Sequence, residues 1–199
     1  AFVSKALKTN QLKRIVVDTT VQPKAVAFPT DVGLMRKAIS ALVDLAKKNN
    51  IVLRQTYERV VKRAAIKSGR YRHAKQMKRA KREEQFIRTR LGRVIRDISR
   101  KIQGNEVLKD IFTADLLKAV TLQKQQRHSK QKVYSWHAPE TECIGKGKAH
   151  KPYEFGCKVS VTTNVNPARG GHFVLHIGAL HQNPFDGHTL APVLNSYTQ

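Results

Sequence analysis

Acidic residues are scarce in this chain: 14 Asp and Glu stand against 38 Lys and Arg in 199 residues, a formal net charge of +24. That imbalance makes a polyanion the leading class of partner, and nucleic acid is the commonest polyanion. Cysteine is scarcer still. Cys143 and Cys157 are the whole complement, which excludes a disulfide-stapled scaffold and fits a reducing cytoplasm. No run approaches about 18 apolar residues, so no transmembrane helix is expected. No apolar segment opens the chain, so no secretory signal is expected either. Hydrophobic residues make up 40%, enough to argue against disorder as the main state. The length suits one ordinary domain or two small ones. Ala1 stands first rather than Met, and Leu194 to Gln199 ends a helix-like segment without a cap. A piece of a longer protein, cut at both ends, is the expectation.

Lys13 to Asp18 reads as a short buried strand, because Ile15-Val16-Val17 is β-branched and too short for a helix. Thr30 and Asp31 signal a helix start, and Met35, Ile39, Leu42 and Leu45 follow at helical spacing up to about Asn49-Asn50. A second helix is predicted from about Leu53 to Lys67, broken by Ser68-Gly69. A third is predicted over Arg70–Ile102, with Ile87, Leu91, Val94, Ile98 and Ile102 sharing a face. A fourth, about Val107 to Gln126, turns Leu108, Ile111, Leu116 and Val120 inward. After Lys130 the composition changes to aromatics and glycines. Phe155 to Thr162 and Phe173 to Leu180 then read as a hairpin with a long loop, and Asp186 to Gln199 as a final helix.

The carboxylates are too few to hide. Asp31, Asp44, Glu58, Glu83, Glu84, Asp97 and Asp110 lie in predicted helices, where ion pairs and caps explain them. Asp18 ends an apolar strand, a rigid position that suits catalysis, although by spacing alone a turn cap through Thr19 and Thr20 is the better explanation. Two Mg²⁺ ions clamped by carboxylates are the usual device for phosphate chemistry, and one Asp cannot build it. Asp186 is either a second acid or the cap of the last helix. Cys143, His150 and Cys157 lack the close pair that structural zinc needs. His172 and His176 suit a half-exposed strand face. Gly145-Lys146-Gly147-Lys148 lacks P-loop spacing and is either a phosphate-contacting loop or a solvated one.

The strongest signal is basic. From Arg54 to Lys101 there are 18 Lys or Arg and four acids. A continuous helix of about 33 residues is roughly 50 Å long and can face many phosphates of a duplex. Arg72, Lys75, Arg79 and Arg82 follow one predicted face, and Lys78, Arg90 and Arg93 are further candidate DNA-binding residues of the run. Nothing in it predicts base-specific readout.

Three stretches resemble the DDE transposases of bacterial insertion sequences, of the IS5-type group. They are Ile15-Val16-Val17-Asp18-Thr19-Thr20-Val21-Gln22, then Glu142 to His150 with Tyr153-Glu154-Phe155-Gly156 and Lys158, then Asn183-Pro184-Phe185-Asp186-Gly187-His188-Thr189-Leu190. Leu53 to Tyr57 and Gly69-Arg70-Tyr71 add to the likeness. The resemblance implies an α/β (α+β) fold, an incomplete RNase H-like core interrupted by a basic helical insertion at about 29–130. The hairpin and following helix of the core would occupy 131–199, all within one incomplete catalytic domain. It implies Asp18 as the first of three carboxylates that hold Mg²⁺ or Mn²⁺ for DNA strand cleavage and strand transfer. The second Asp and the final Glu are expected beyond the D-G-H-T-L motif, past Gln199, so Asp186 is no match for either. DNA at the transposon ends is the implied partner, through the basic run and through Lys146, Lys148 and Lys158. A homodimer in the complete enzyme and a cytoplasmic, nucleoid-associated location are further expectations. This chain alone is expected to bind DNA without catalysing transposition. The rival reading is a non-catalytic basic nucleic-acid-binding module.

Overall fold

The structure is a computed structural model and describes residues 14–126, 128–130, 132–146, 149–150, 152–169 and 171–197. The chain is mixed α/β, with five helices and a four-stranded antiparallel sheet among the described residues. It divides into two compact units, one formed by Ala1–Val26 with Thr141–Gln199 and the other by Ala27–Glu140.

The first unit holds the sheet. Strand β1 (Ile15–Pro23) lies antiparallel to β3 (Tyr153–Asn164), from Ile15 opposite Asn164 to Pro23 opposite Gly156. The other edge of β3 is shared. Strand β2 (Glu142–Gly145) pairs with its start, and β4 (Val174–Leu180) pairs with Lys158 to Thr163, with an irregularity at Thr162/Thr163. The hairpin expected near residues 155–180 is therefore present as β3 and β4, whereas β2 had no signal in the sequence. His172 falls outside β4, so it does not share a strand with His176. Alternation buries the polar side of β3: Lys158, Ser160, Thr162 and Asn164 are buried, and Val159 and Val161 are half-buried. Gly156 is required where β1 crosses it, because an added Cβ would strike the Gln22 carbonyl. Helix α5 (Asp186–Tyr197) lies against β4.

The second unit is helical. Helix α1 (Asp31–Lys48) starts where expected: the Thr30 side chain accepts from the Gly33 amide at 3.1 Å, and Asp31 occupies the first turn. Helix α2 (Glu58–His73) differs from the prediction. It begins after Tyr57, which is left-handed at φ 58°, and it runs through Ser68-Gly69. Ser68 is buried and its Oγ donates to the Ala80 carbonyl at 3.4 Å, so a residue read as a breaker serves helix packing instead. The break comes at Ala74–Gln76, with Lys75 left-handed at φ 56°. Helix α3 (Met77–Ile102) has 26 residues, about 39 Å. The continuous helix over Arg70–Ile102 is thus a corner, and α2 folds back on α3.

The face of α3 was legible. Ile87, Leu91, Val94, Ile98 and Ile102 are all buried. Helix α4 (Glu106–Lys124) is capped by Asn105, whose Oδ1 accepts from the Leu108 amide at 3.1 Å. Its buried residues are Phe112, Ala119 and Leu122; Leu108, Leu116 and Val120 are partly buried, and Ile111 is exposed. The contact stripe is rotated by about one residue from the predicted one. One apolar core joins the four helices, with Val133 and Trp136 packed on it.

Candidate nucleic-acid interface

Asp18 sits midway along β1, opposite Val161, and its side chain is exposed. It is not at the strand's end, because β1 continues to Pro23. Its Oδ1 accepts from the Thr19 amide at 2.8 Å. Successive side chains of a strand point to opposite faces, so Asp18 and Thr19 look apart. Thr19 Oγ1 donates to Asp186 Oδ1 at 2.9 Å. Asp186 therefore belongs to the face opposite Asp18, and the two carboxylates do not form a pair.

Asp186 has a different set of partners. Lys158 Nζ lies 2.7 Å from its Oδ1 and donates to the Pro184 carbonyl at 2.6 Å. The Lys158 hydrogen bond first, and then the Thr19 hydrogen bond, hold the Asp186 carboxyl below the usual carboxylate range. The Asp186 side chain forms these bonds rather than capping α5. Lys158 is corrected as a candidate DNA contact. It is buried on the sheet and engaged by Asp186 and Pro184, so its ammonium is unavailable to a phosphate.

A metal pair needs several hard oxygen ligands converging on one point. Among the described residues no group of three or more His, Cys, Asp or Glu stands close enough to hold a metal ion. Cys143, His150 and Cys157 form no such group either. Asp18 alone does not fit Mg²⁺ or Mn²⁺ as a complete site.

The basic residues are more informative. Lys75, in the turn between α2 and α3, and Lys78, Arg82 and Arg93 on α3 are exposed and form no ion pair among the described residues. Arg79 is also exposed; it donates to Gln76 Oε1 at 3.0 Å and lies over the Tyr71 ring, 5.8 Å from the centroid. Three candidates are committed elsewhere. Arg72 pairs with Glu84 at 2.6 Å, which ties α2 to α3. Arg90 is half-buried, and its guanidinium stacks on Phe86 at 3.6 Å from the centroid. Lys146 lies 3.8 Å from Glu154 and is half-buried. Lys148 lies outside the described residues. The single predicted face Arg72–Lys75–Arg79–Arg82 is split by the corner, so these residues do not form one helical stripe.

Arg88, on the same helix, was not singled out in the sequence. Its Nη1 donates to the carbonyls of Leu122, Gln123 and Gln125, at 3.3 Å to Leu122 and 3.0 Å to Gln125. A cation there satisfies the last carbonyls of α4 and opposes its negative end. Its role is structural, and spacing on α3 gave no sign of it.

The described residues thus define a mixed α/β protein with a strongly basic helical unit. No family model matches the chain, and no solved structure matches it. A relative from Rhizobium meliloti, an uncharacterized protein ORF8 in the nfe locus, is 53% identical over 81 residues. That stretch covers 38% of this chain and 39% of the relative, so the match spans well under half of that relative's length. No helix among the described residues is long and apolar enough to cross a membrane.

Proposed function

We propose that this chain is the DNA-holding part of an insertion-sequence transposase of the DDE type, and that by itself it binds DNA through phosphates without cleaving it. The observation that carries the reading is the set of exposed cations without carboxylate partners, Lys75, Lys78, Arg82 and Arg93, on a chain of net charge +24. Phosphate contact is the ordinary use of such a surface. The RNase H-like part of the reading is supported by the placement of Asp18 on β1, paired antiparallel with β3, and by a helical unit entering between β1 and β2. Strand cleavage and strand transfer with Mg²⁺ or Mn²⁺ belong to a complete protein that brings further carboxylates to Asp18. Transposon-end DNA, a homodimer of that complete protein and a nucleoid-associated location go with the same reading. A second reading, a non-catalytic nucleic-acid-binding module, is supported by the same net charge of +24.

The test measures duplex binding at two salt concentrations beside Mg²⁺-dependent nicking, with the chain and its Asp18→Ala variant. Binding is expected to weaken about 10³-fold or more between 50 and 200 mM salt, with no nicking by either protein. Absence of duplex binding at low salt overturns both readings. Nicking that Asp18→Ala abolishes overturns the claim that this chain does not cleave. A longer protein that transposes only with Asp18 intact separates the transposase from the non-catalytic module.

A further inference from the structure

Arg93, one of the exposed cations already described, also lines a basic cleft of the helical unit, away from the turn between α2 and α3. The residues before α2 and one side of α3 enclose a cleft of about 420 Å³ lined by Arg54, Gln55, Tyr57, Arg93, Arg96, Asp97 and Arg100. Arg93, Arg96 and Arg100 recur at three and four residues, so they rise along one face of α3. Arg54 faces them from the preceding segment. All four arginines are exposed, and Arg54, Arg93 and Arg96 form no ion pair among the described residues.

Asp97 is the cleft's one acid, and its charge is already in use. Its carboxylate is buried. Oδ2 accepts from the Arg54 amide at 2.8 Å and lies 3.5 Å from Lys101 Nζ, and Oδ1 lies 3.7 Å from Arg100. The bond to the Arg54 amide fixes the opposite wall of the cleft against α3. Four like charges gathered in one concavity repel, and one carboxylate facing two of the neighbouring cations does not balance them. An anion does.

We propose that this cleft holds the backbone phosphates of duplex DNA. The proposal rests on the DNA-binding reading above and assigns it a place. Guanidinium forks match phosphate oxygens in pairs, which suits arginine better than lysine for this task. From Arg93 to Arg100 the helix rises about 10 Å. Both strands of a duplex together place a phosphate every ~1.7 Å along the axis, so a row of this length can reach about two or three neighbouring phosphates. A single small anion would leave part of the row unused. The contacts carry no sequence information, because they end on phosphate rather than on base edges.

The test uses the full chain, a fluorescent duplex of arbitrary sequence, and a double variant, Arg93→Gln with Arg96→Gln. Both positions are exposed, so folding is expected to be unaffected, and circular dichroism checks it. The control is Arg36→Gln with Lys37→Gln, an exposed pair on α1 that removes the same charge. The cleft variant is expected to bind about tenfold more weakly at 200 mM salt, with a log–log salt slope smaller by about 1.8, the value for two lost phosphate contacts. The control is expected to lie close to the parent chain. Equal losses in both variants mean that net charge alone acts, and overturn the cleft. Unchanged binding by the cleft variant, with the parent chain still binding, also overturns it and leaves the DNA-binding reading standing. A parent chain that binds no duplex overturns both. Pyrophosphate titrated in parallel separates the sources: tight pyrophosphate binding lost in the cleft variant, without duplex binding, makes the cleft a small-anion site and sinks the DNA assignment.

Discussion

Lys158 and Asp186 show how a side chain's partners override its type. Lys158 is a basic residue in a basic protein, yet its ammonium is spent on Asp186 and the Pro184 carbonyl. Asp186 is held in its charged form by those partners, so its carboxyl titrates below the ordinary range. The unfolded chain therefore takes up this proton first as the solution is acidified. The contact's stabilisation is complete above about pH 4, where the unfolded carboxylate is ionised, and is lost as the pH falls through the lower folded value. The Asp186 side chain is 64% exposed, so solvent screens the pair and its worth is about 1 kcal/mol or less. Asp186→Asn is expected to lower stability by that amount at pH 7, with the gap between variant and parent narrowing toward about pH 2. Urea unfolding at the two pH values checks it; a gap that widens in acid contradicts the assigned partners.

At the scale of elements, the pairing of β1 with β3 depends on Gly156. The Gln22 carbonyl occupies the space where any Cβ would stand, so Gly156→Ala must push β1 off its ladder. A loss of about 1–3 kcal/mol is expected. Hydrogen exchange is the suitable measurement, because the loss is local to one ladder: amides of β1 near Val21 and Gln22 should exchange faster while those of α3 keep their protection. Uniform loss of protection over both units would count against a local effect. The corner at Ala74–Gln76 belongs to the same scale. Spacing along Arg70–Ile102 reads as one helix because no Pro interrupts it and no Gly stands near Ala74–Gln76, and Lys75 nevertheless adopts a left-handed backbone. Packing of Val61, Ala64 and Ser68 against α3 decides the reversal, since a straight helix would leave them in water. Propensity is a weak prior beside that burial.

For the whole molecule, two quantities matter: the helical core and the charge. Phe112 is fully buried among the four helices. Phe112→Ala is expected to cost about 3–5 kcal/mol. Trp136 is the chain's one tryptophan and packs on this core, so its fluorescence reports the helical unit directly. A shift of its unfolding midpoint of less than 1 kcal/mol equivalent would mean that the core closes around the gap. Net charge acts over the same scale. At +24 the chain repels itself, and added salt both relieves that repulsion and weakens phosphate binding, so folding and binding should move in opposite directions with ionic strength.

The sequence by itself determined what depends on neighbours along the chain. The Thr30 cap, the buried face of α3, the strand character of Ile15 to Asp18 and the excess of cations all follow from residue type and spacing, whereas the continuation of β1 to Pro23 does not. Those features need no distant partner to be read. Tertiary structure decided which cations remain free. Arg72, Arg88, Arg90 and Lys158 look like Lys78 and Arg82 in the sequence, but they are taken by Glu84, by three carbonyls at the C-terminal end of α4, by Phe86 and by Asp186. It also set Asp18 and Asp186 on opposite faces and gathered Arg54 with Arg93, Arg96 and Arg100. The physical reason is range. A helix cap or an apolar stripe is satisfied within a few residues, whereas a charge finds its partner through space, across separations such as the 167 positions between Thr19 and Asp186.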